Sequence, residues 1–292
     1  MVTHQRPRRS VLYMPGSNAR ALEKGRTLLA DALILDLEDA VASSNKADAR
    51  GLIVETLEAG GYGRREVIVR VNPLDTVWGL DDVRAIAKTS ADAILLPKVE
   101  TAEQVQSLID LMDQSGAPET MSVMCMMETP LGMLNAKEIA ASSKRISCFV
   151  MGTSDLVKDL HAQHTQQRLP VITSLGLCLL AARAYGIAIV DGVCLDLSDD
   201  VGFEKSCVQG LEFGFDGKTL IHPKTIATAN KVFGPSTMAV EKARSIVLAF
   251  EEAEQQGQGV VVLNGQLIEN LHAEEARRLI ALADVIQDLE QN

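Results

Sequence analysis

Residues 121–129 read MSVMCMMET and residues 147–155 read SCFVMGTSD. Each is a short, almost uncharged apolar run that stops at or just before an acid, Glu128 in the first and Asp155 in the second. A buried strand that ends in a carboxylate places it at the rim of a sheet, and in an α/β barrel that rim is where chemistry is done. An acid at a strand end also arises as a helix cap or as a solvated residue. It is the pair, with basic residues at other strand ends, that points to a metal site.

Working outward from these two runs, six more short β-branched or apolar segments alternate with helix-compatible sequence. The eight predicted strands are Ser10–Met14, Ala32–Leu37, Glu66–Val71, Ala93–Leu96, Met121–Met127, Ser147–Met151, Ile187–Val193 and Phe215–Ile221. Intervening segments such as Ala47–Glu58 and Thr101–Gln114 carry apolar residues at helical spacing with charges outward. The pattern predicts a TIM (β/α)8 barrel over residues 1–233. Phe233-Gly234-Pro235-Ser236 then breaks the chain. Residues 234–292 form a predicted C-terminal helix-hairpin-helix extension: a helix over Thr237–Gln256, strands Val260–Leu263 and Gln266–Ile268 around an Asn264-Gly265 turn, and a helix over Ala273–Leu289. A closed barrel does not need these parts, so they are expected to act as a lid or a subunit-exchange element.

At 292 residues, 47% hydrophobic and 23% charged, the chain has material for a large core. No run approaches the ~20 apolar residues of a membrane span, and the N-terminus lacks a signal-peptide pattern, so the cytoplasm is the expected location. A net charge of −11 argues against nucleic acid or an anionic membrane as partner. The five cysteines, odd in number and set among apolar neighbours, read as reduced core thiols.

In a barrel the residues after each strand share one mouth, and here they are polar: Tyr13, Ser17 and Asn18; Asp36, Glu38 and Asp39; Arg70 and Asn72; Lys98; Glu128; Asp155; Asp191; His222. Carboxylates crowded together raise one another's pKa unless a cation neutralises them. Acids without a His or Cys cluster favour a hard ion, so Mg2+ is expected, with Mn2+ as a substitute. Arg70 is placed either opposite that ion, facing a substrate oxyanion, or in a structural salt bridge to Asp36, Glu38 or Asp39. His161 and His164 read as solvated or capping residues, and His222-Pro223 as either a mouth residue or a turn.

The stretches RSVLYMPGSN, LDLEDAV, VRVNP, LLPKVE, METPLG, MGTSDL and GFDGKTLIHP, spread from Arg9 to Pro223, together resemble the citrate lyase β-subunit-like CoA-ester lyases of the HpcH/HpaI aldolase group, which includes malyl-CoA and citramalyl-CoA lyases. The resemblance implies Mg2+ on Glu128 and Asp155, Glu38 and Asp39 near metal-bound waters, and Arg70 on the substrate. Gly152 and Thr153 fall in the matched substrate-binding segment, and Tyr13, Ser17, Lys24 and Arg26 are expected near the CoA phosphates. It implies retro-Claisen cleavage of malyl-CoA or a similar β-hydroxyacyl-CoA such as citramalyl-CoA to an acyl-CoA and a small 2-oxo acid, in a homo-oligomer (a trimer or dimer of trimers). Such lyases carry a late G-K-M-I-D segment whose Asp, offered by a neighbouring subunit, handles the proton at the thioester α-carbon. Here residues 264–269 read NGQLIE, with Glu269 in that place. Glu269-Asn270-Leu271-His272 is similar to the ending of the (S)-malyl-CoA thioesterase branch, which implies hydrolysis to malate and CoA as an alternative. A citrate lyase β-type subunit working with an acyl-carrier partner is a further alternative.

Overall fold

The computed structural model describes residues 6–291. Eight parallel strands close into a barrel in chain order: β1 (Ser10–Pro15), β2 (Ala32–Asp36), β3 (Glu66–Arg70), β4 (Ala93–Leu96), β5 (Ser122–Met127), β6 (Ile146–Met151), β7 (Ala188–Asp191) and β8 (Gly217–Leu220). The barrel closes where Ser10–Leu12 pair with Lys218–Leu220. This is the predicted fold, and each predicted strand lies within two residues of the observed one.

Parallel strands covered by helices are apolar on both faces, and here the alternation sorts the side chains into two cores. Val11, Ile34, Ile68, Leu95, Met124, Met126, Val150 and Val190 fill the lumen. Their chain neighbours, among them Leu12, Leu33, Val69, Ile94, Met127, Phe149 and Ile189, face outward into the larger core under the helices. Helices include Lys46–Ala59 and Ala102–Gln114; the second starts at a capping box between Thr101 and Gln104. At the N-terminal rim buried ions stand in matched pairs, Arg8 with Glu66 at 2.6 Å and Arg9 with Asp31 at 2.8 Å.

A second compact unit begins at Gly234. Its first helix, Thr237–Gln255, is capped by the Ser236 side chain, which accepts from the Ala239 N–H. An antiparallel hairpin of β9 (Val260–Leu263) and β10 (Gln266–Glu269) follows, then a helix over Asn270–Glu290. Asn264 and Gly265, at φ 52° and 79°, make the two-residue turn that Asn-Gly predicts. Phe250, Ile268 and Ala273 form this unit's own small core. Among the described residues no helix is long and apolar enough to cross a membrane.

Candidate active site

The alternation that fills the lumen also decides which strand-end residues reach the mouth. Val11, Ile34, Ile68 and Met126 face inward. Two residues further along each strand come Tyr13, Asp36, Arg70 and Glu128, on the same inward side. Asp36 and Arg70 are register partners on β2 and β3. The guanidinium grips the carboxylate at both ends, Nε to Oδ1 and Nη2 to Oδ2, each 2.6 Å. The remaining lone pairs of Asp36 accept the N–H groups of Glu38 and Ala40. Arg70 thus makes the structural salt bridge, yet it has a further face. Its Nη1 lies 2.8 Å from Glu38 Oε2 and 3.9 Å from the exposed Asp39 carboxylate. Burial pulls the guanidinium's proton affinity down, but Asp36, Tyr13 and Glu38 more than reverse this and keep it cationic.

Tyr13 sits beneath Arg70, whose guanidinium lies 4.9 Å from the ring centroid, and its hydroxyl approaches Met126 Sδ at 3.8 Å. It is therefore a platform for Arg70. Ser17 and Lys24 are exposed, in the turn and helix that follow β1, and Asn18 caps that helix by accepting from the Ala21 N–H. Arg26 pairs with Glu23 and lies 5.8 Å over Tyr62.

The loop after β2, which carries Glu38, is held from below. Buried Lys46 donates to the carbonyls of Leu37 and Glu38 at 2.9 Å and to Asn72 Oδ1 at 2.6 Å. Asn72 in turn donates to Asp82, which pairs with Arg50. Asn72 therefore belongs to this scaffold and not to the mouth. Nothing in local sequence pattern flags Lys46, because its partners lie up to 26 positions away.

On the opposite side Glu128 is buried and accepts the Lys98 backbone N–H at 2.8 Å through Oε1. Gly152 follows β6 directly against it: a Cβ there would stand 2.4 Å from Glu128 Cβ and 2.5 Å from Oε2, so no side chain larger than hydrogen fits while Glu128 holds this position. Thr153 packs against Gly192 in the same way, with Oγ1 2.4 Å from a Cβ built on that glycine. Asp155, partly exposed, lies in the first turn of the helix Thr153–Asp159. Lys98 Nζ reaches Glu38 Oε1 at 2.6 Å and Asp155 Oδ2 at 3.4 Å. Sequence reading placed Lys98 at the mouth without a role; the structure makes it the residue that touches three of the carboxylates.

Besides Asn72, two more expected mouth residues go elsewhere. Asp191 follows inward-facing Val190 and so shares the outward face of Ile189. There it is fully buried between Lys218 and Arg168, at 2.7 and 2.6 Å, which hold its carboxyl below the usual range against the opposing effect of burial. His222 caps a short turn by accepting from the Lys224 N–H, which is the turn reading. His161 and His164 lie in a loop, and both are exposed.

Burial pushes the Glu128 carboxyl up to about 8, with Lys98 pulling it down and Glu38 adding to the rise. Burial likewise raises Glu38, against the pull of Arg70 and Lys98. Protein cations thus satisfy Asp36 and part of Glu38, and leave Glu128 short of positive charge. Among the described residues no group of three or more His, Cys, Asp or Glu forms a ready metal cage. Two carboxylates, buried Glu128 and partly exposed Asp155, fit a hard ion that keeps several waters and takes ligands from its substrate.

Glu269 lies in the second unit. It is the N-cap residue of the helix Asn270–Glu290, and its backbone N–H donates to His272 Nδ1 at 3.0 Å.

Residues 9–223 match the family model described as HpcH/HpaI aldolase/citrate lyase. The chain is 52% identical over 286 residues to a (3S)-malyl-CoA thioesterase of Cereibacter sphaeroides, across 98% of each chain. It is 36% identical over 288 residues to the citrate lyase subunit beta of Leuconostoc mesenteroides subsp. cremoris, across 97% of this chain and 95% of the relative. Among solved structures it is similar to the protein CitE of Mycobacterium tuberculosis in complex with magnesium, acetoacetate and coenzyme A, with a TM-score of 0.75 and 28% identity over 95% of this chain and 98% of the other. With its closed barrel, its acidic mouth and these likenesses along nearly its whole length, the chain belongs to the HpcH/HpaI aldolase/citrate lyase family of enzymes.

Proposed function

We propose that this enzyme hydrolyses the thioester of (3S)-malyl-CoA, releasing malate and CoA, and that it depends on Mg2+ held by Glu128 and Asp155, with Mn2+ as a substitute. The observation that carries the hydrolytic reading is the 52% identity to a (3S)-malyl-CoA thioesterase across 98% of both chains, a span that takes in the segment bearing Glu269. The under-neutralised carboxyl of Glu128 supports the metal assignment. When bound, the ion supplies Lewis-acid polarisation of the acyl unit's oxygens.

The chain's own residues do the rest. Arg70, fixed by Asp36 and seated on Tyr13, presents Nη1 as a preorganised positive charge for the acyl unit's oxygens. Glu38 and Asp39 order water at the mouth. Gly152, lacking a Cβ, lets the Glu128 carboxylate occupy its position, and Thr153 follows it against Gly192. Ser17 and Lys24 face solvent after β1, where the CoA phosphates need a polar, basic surface. Glu269, offered by the C-terminal extension of a neighbouring copy, accepts a proton from water as the water oxygen bonds to the thioester carbonyl carbon. The C–S bond then breaks and the sulfur leaves as thiolate, which takes up the proton. In this reading residues 1–233 are the catalytic barrel, and the extension from 234 is a subunit-exchange element in a trimer or dimer of trimers.

The second reading is carbon–carbon cleavage of malyl-CoA or citramalyl-CoA, and the 36% identity to a citrate lyase subunit beta favours it. Glu269 weighs against it, because a carboxylate displaced by a methylene is poorly placed for the α-carbon, and misplacement on the ~1 Å scale costs about 100-fold. Purified protein incubated with (S)-malyl-CoA and Mg2+, with free thiol and glyoxylate assayed separately, distinguishes the two. Thiol without glyoxylate is the expected result. Glyoxylate with acetyl-CoA establishes the lyase, and glyoxylate released only when the malyl thioester is borne by an acyl-carrier partner establishes the citrate lyase type.

A further inference from the structure

Lys98 follows β4 with φ 51°, a left-handed conformation that is unfavourable for a residue bearing a Cβ and persists where the surroundings demand it. Here the demand is visible. The backbone N–H is held on Glu128 Oε1 at 2.8 Å, while the side chain of the same residue reaches Glu38 at 2.6 Å and Asp155 at 3.4 Å. One residue therefore touches both carboxylates assigned to the metal, one through its backbone and the other through its ammonium.

We propose that Lys98 is the resident counter-ion of the divalent-metal site: its ammonium neutralises Asp155 and Glu38 in the metal-free enzyme, and a divalent ion binds by displacing that ammonium from Asp155. The inference rests on the reading of Glu128 and Asp155 as the metal carboxylates. The two lysines beside Glu38 show why Lys98 is the one that yields. Lys46 is 6% exposed and directs its ammonium to two carbonyls and an amide oxygen, with nowhere to go. The Lys98 side chain is 38% exposed, and its longer contact is the one to Asp155. A flexible stem carrying a strongly hydrated point charge can withdraw toward water and keep Glu38. Without Lys98 the carboxylates would repel one another in the metal-free state. With it they stay assembled, at the expense of affinity for the ion. Lys98 is thus a positioning residue that sets how tightly the free enzyme holds metal.

The test is titration of Mn2+ into the metal-free full-length protein without substrate, with unbound Mn2+ read by electron paramagnetic resonance, for wild type, Lys98→Met and Lys98→Arg. Lys98→Met keeps the backbone N–H and most of the stem but removes the charge, and is expected to bind Mn2+ at least about tenfold more tightly, equal to about 1.4 kcal/mol. Lys98→Arg keeps the charge and is expected to stay within about threefold of wild type. Lys98→Gln carries the same expectation as Lys98→Met should the thioether disturb folding. Equal or weaker Mn2+ binding by the neutral variants, with wild type binding one equivalent, overturns the counter-ion role and leaves the metal assignment standing. No binding by wild type or any variant overturns both.

Discussion

The two rims of this barrel handle buried charge in opposite ways. At the N-terminal rim each buried acid has its own arginine, Glu66 with Arg8 and Asp31 with Arg9. At the C-terminal rim Asp36, Glu38, Asp39, Glu128 and Asp155 share Arg70 and Lys98, and among the described residues Glu128 has only a backbone N–H as a hydrogen-bond partner. A balanced pair locks strands together, whereas a surplus of buried acid is unfavourable until something positive arrives. The difference separates the end of the barrel that maintains the fold from the end that does chemistry.

Variants on the two rims should therefore fail differently. The largest expected effect is on turnover. Glu128→Gln should lower kcat by about 1,000-fold, on the scale of losing a central electrostatic group, while circular dichroism shows an intact fold. A variant with near wild-type kcat would remove Glu128 from the site. Gly152→Ala should come next, at about 100-fold, because its methyl displaces the Glu128 carboxylate. Here a change in KM alone would argue that Gly152 lines a substrate pocket without positioning Glu128. At the other rim Asp31→Asn should leave Mn2+ affinity unchanged but destabilise the fold by about 3–5 kcal/mol, since it removes the charge from one side of a buried ion pair; urea unfolding measures this.

The pH dependence of stability is an effect of similar size to that of Asp31→Asn. Folding raises the Glu128 carboxyl from 4.5 to about 8. Between those values the folded chain holds a proton that the unfolded chain releases, so this contribution to stability is complete below about 4.5 and is lost as pH rises through about 8. Metal-free protein should melt progressively lower across that window, by roughly 2–4 °C per kcal/mol lost. Glu128→Gln should flatten the slope, and Mn2+ added at pH 8 should raise the melting temperature of wild type but not of Glu128→Gln.

The strand pattern was legible because each β-branched run is bounded by helix-compatible sequence, and the hairpin was legible from Asn264-Gly265. Glu128, Asp155, Glu38 and Arg70 were legible as strand-end polar residues. What sequence could not give is the direction each one faces. A parallel strand covered on both sides is apolar at every position, so its alternation leaves no trace. Asp191 and Glu128 look alike in the sequence, yet one faces the helices between Lys218 and Arg168 and the other faces the mouth. Lys98 escaped for a different reason. Its role depends on a left-handed backbone and on partners 30 and 60 positions away, which no local motif encodes.

The acid surplus at the C-terminal rim is expected to hold a divalent ion. Calorimetric titration of Mn2+ into metal-free wild type, Glu128→Gln and Asp31→Asn tests it directly. One equivalent bound by wild type and by Asp31→Asn, with none bound by Glu128→Gln, is the expected result. Equal binding by wild type and Glu128→Gln, or no binding by wild type, would contradict it.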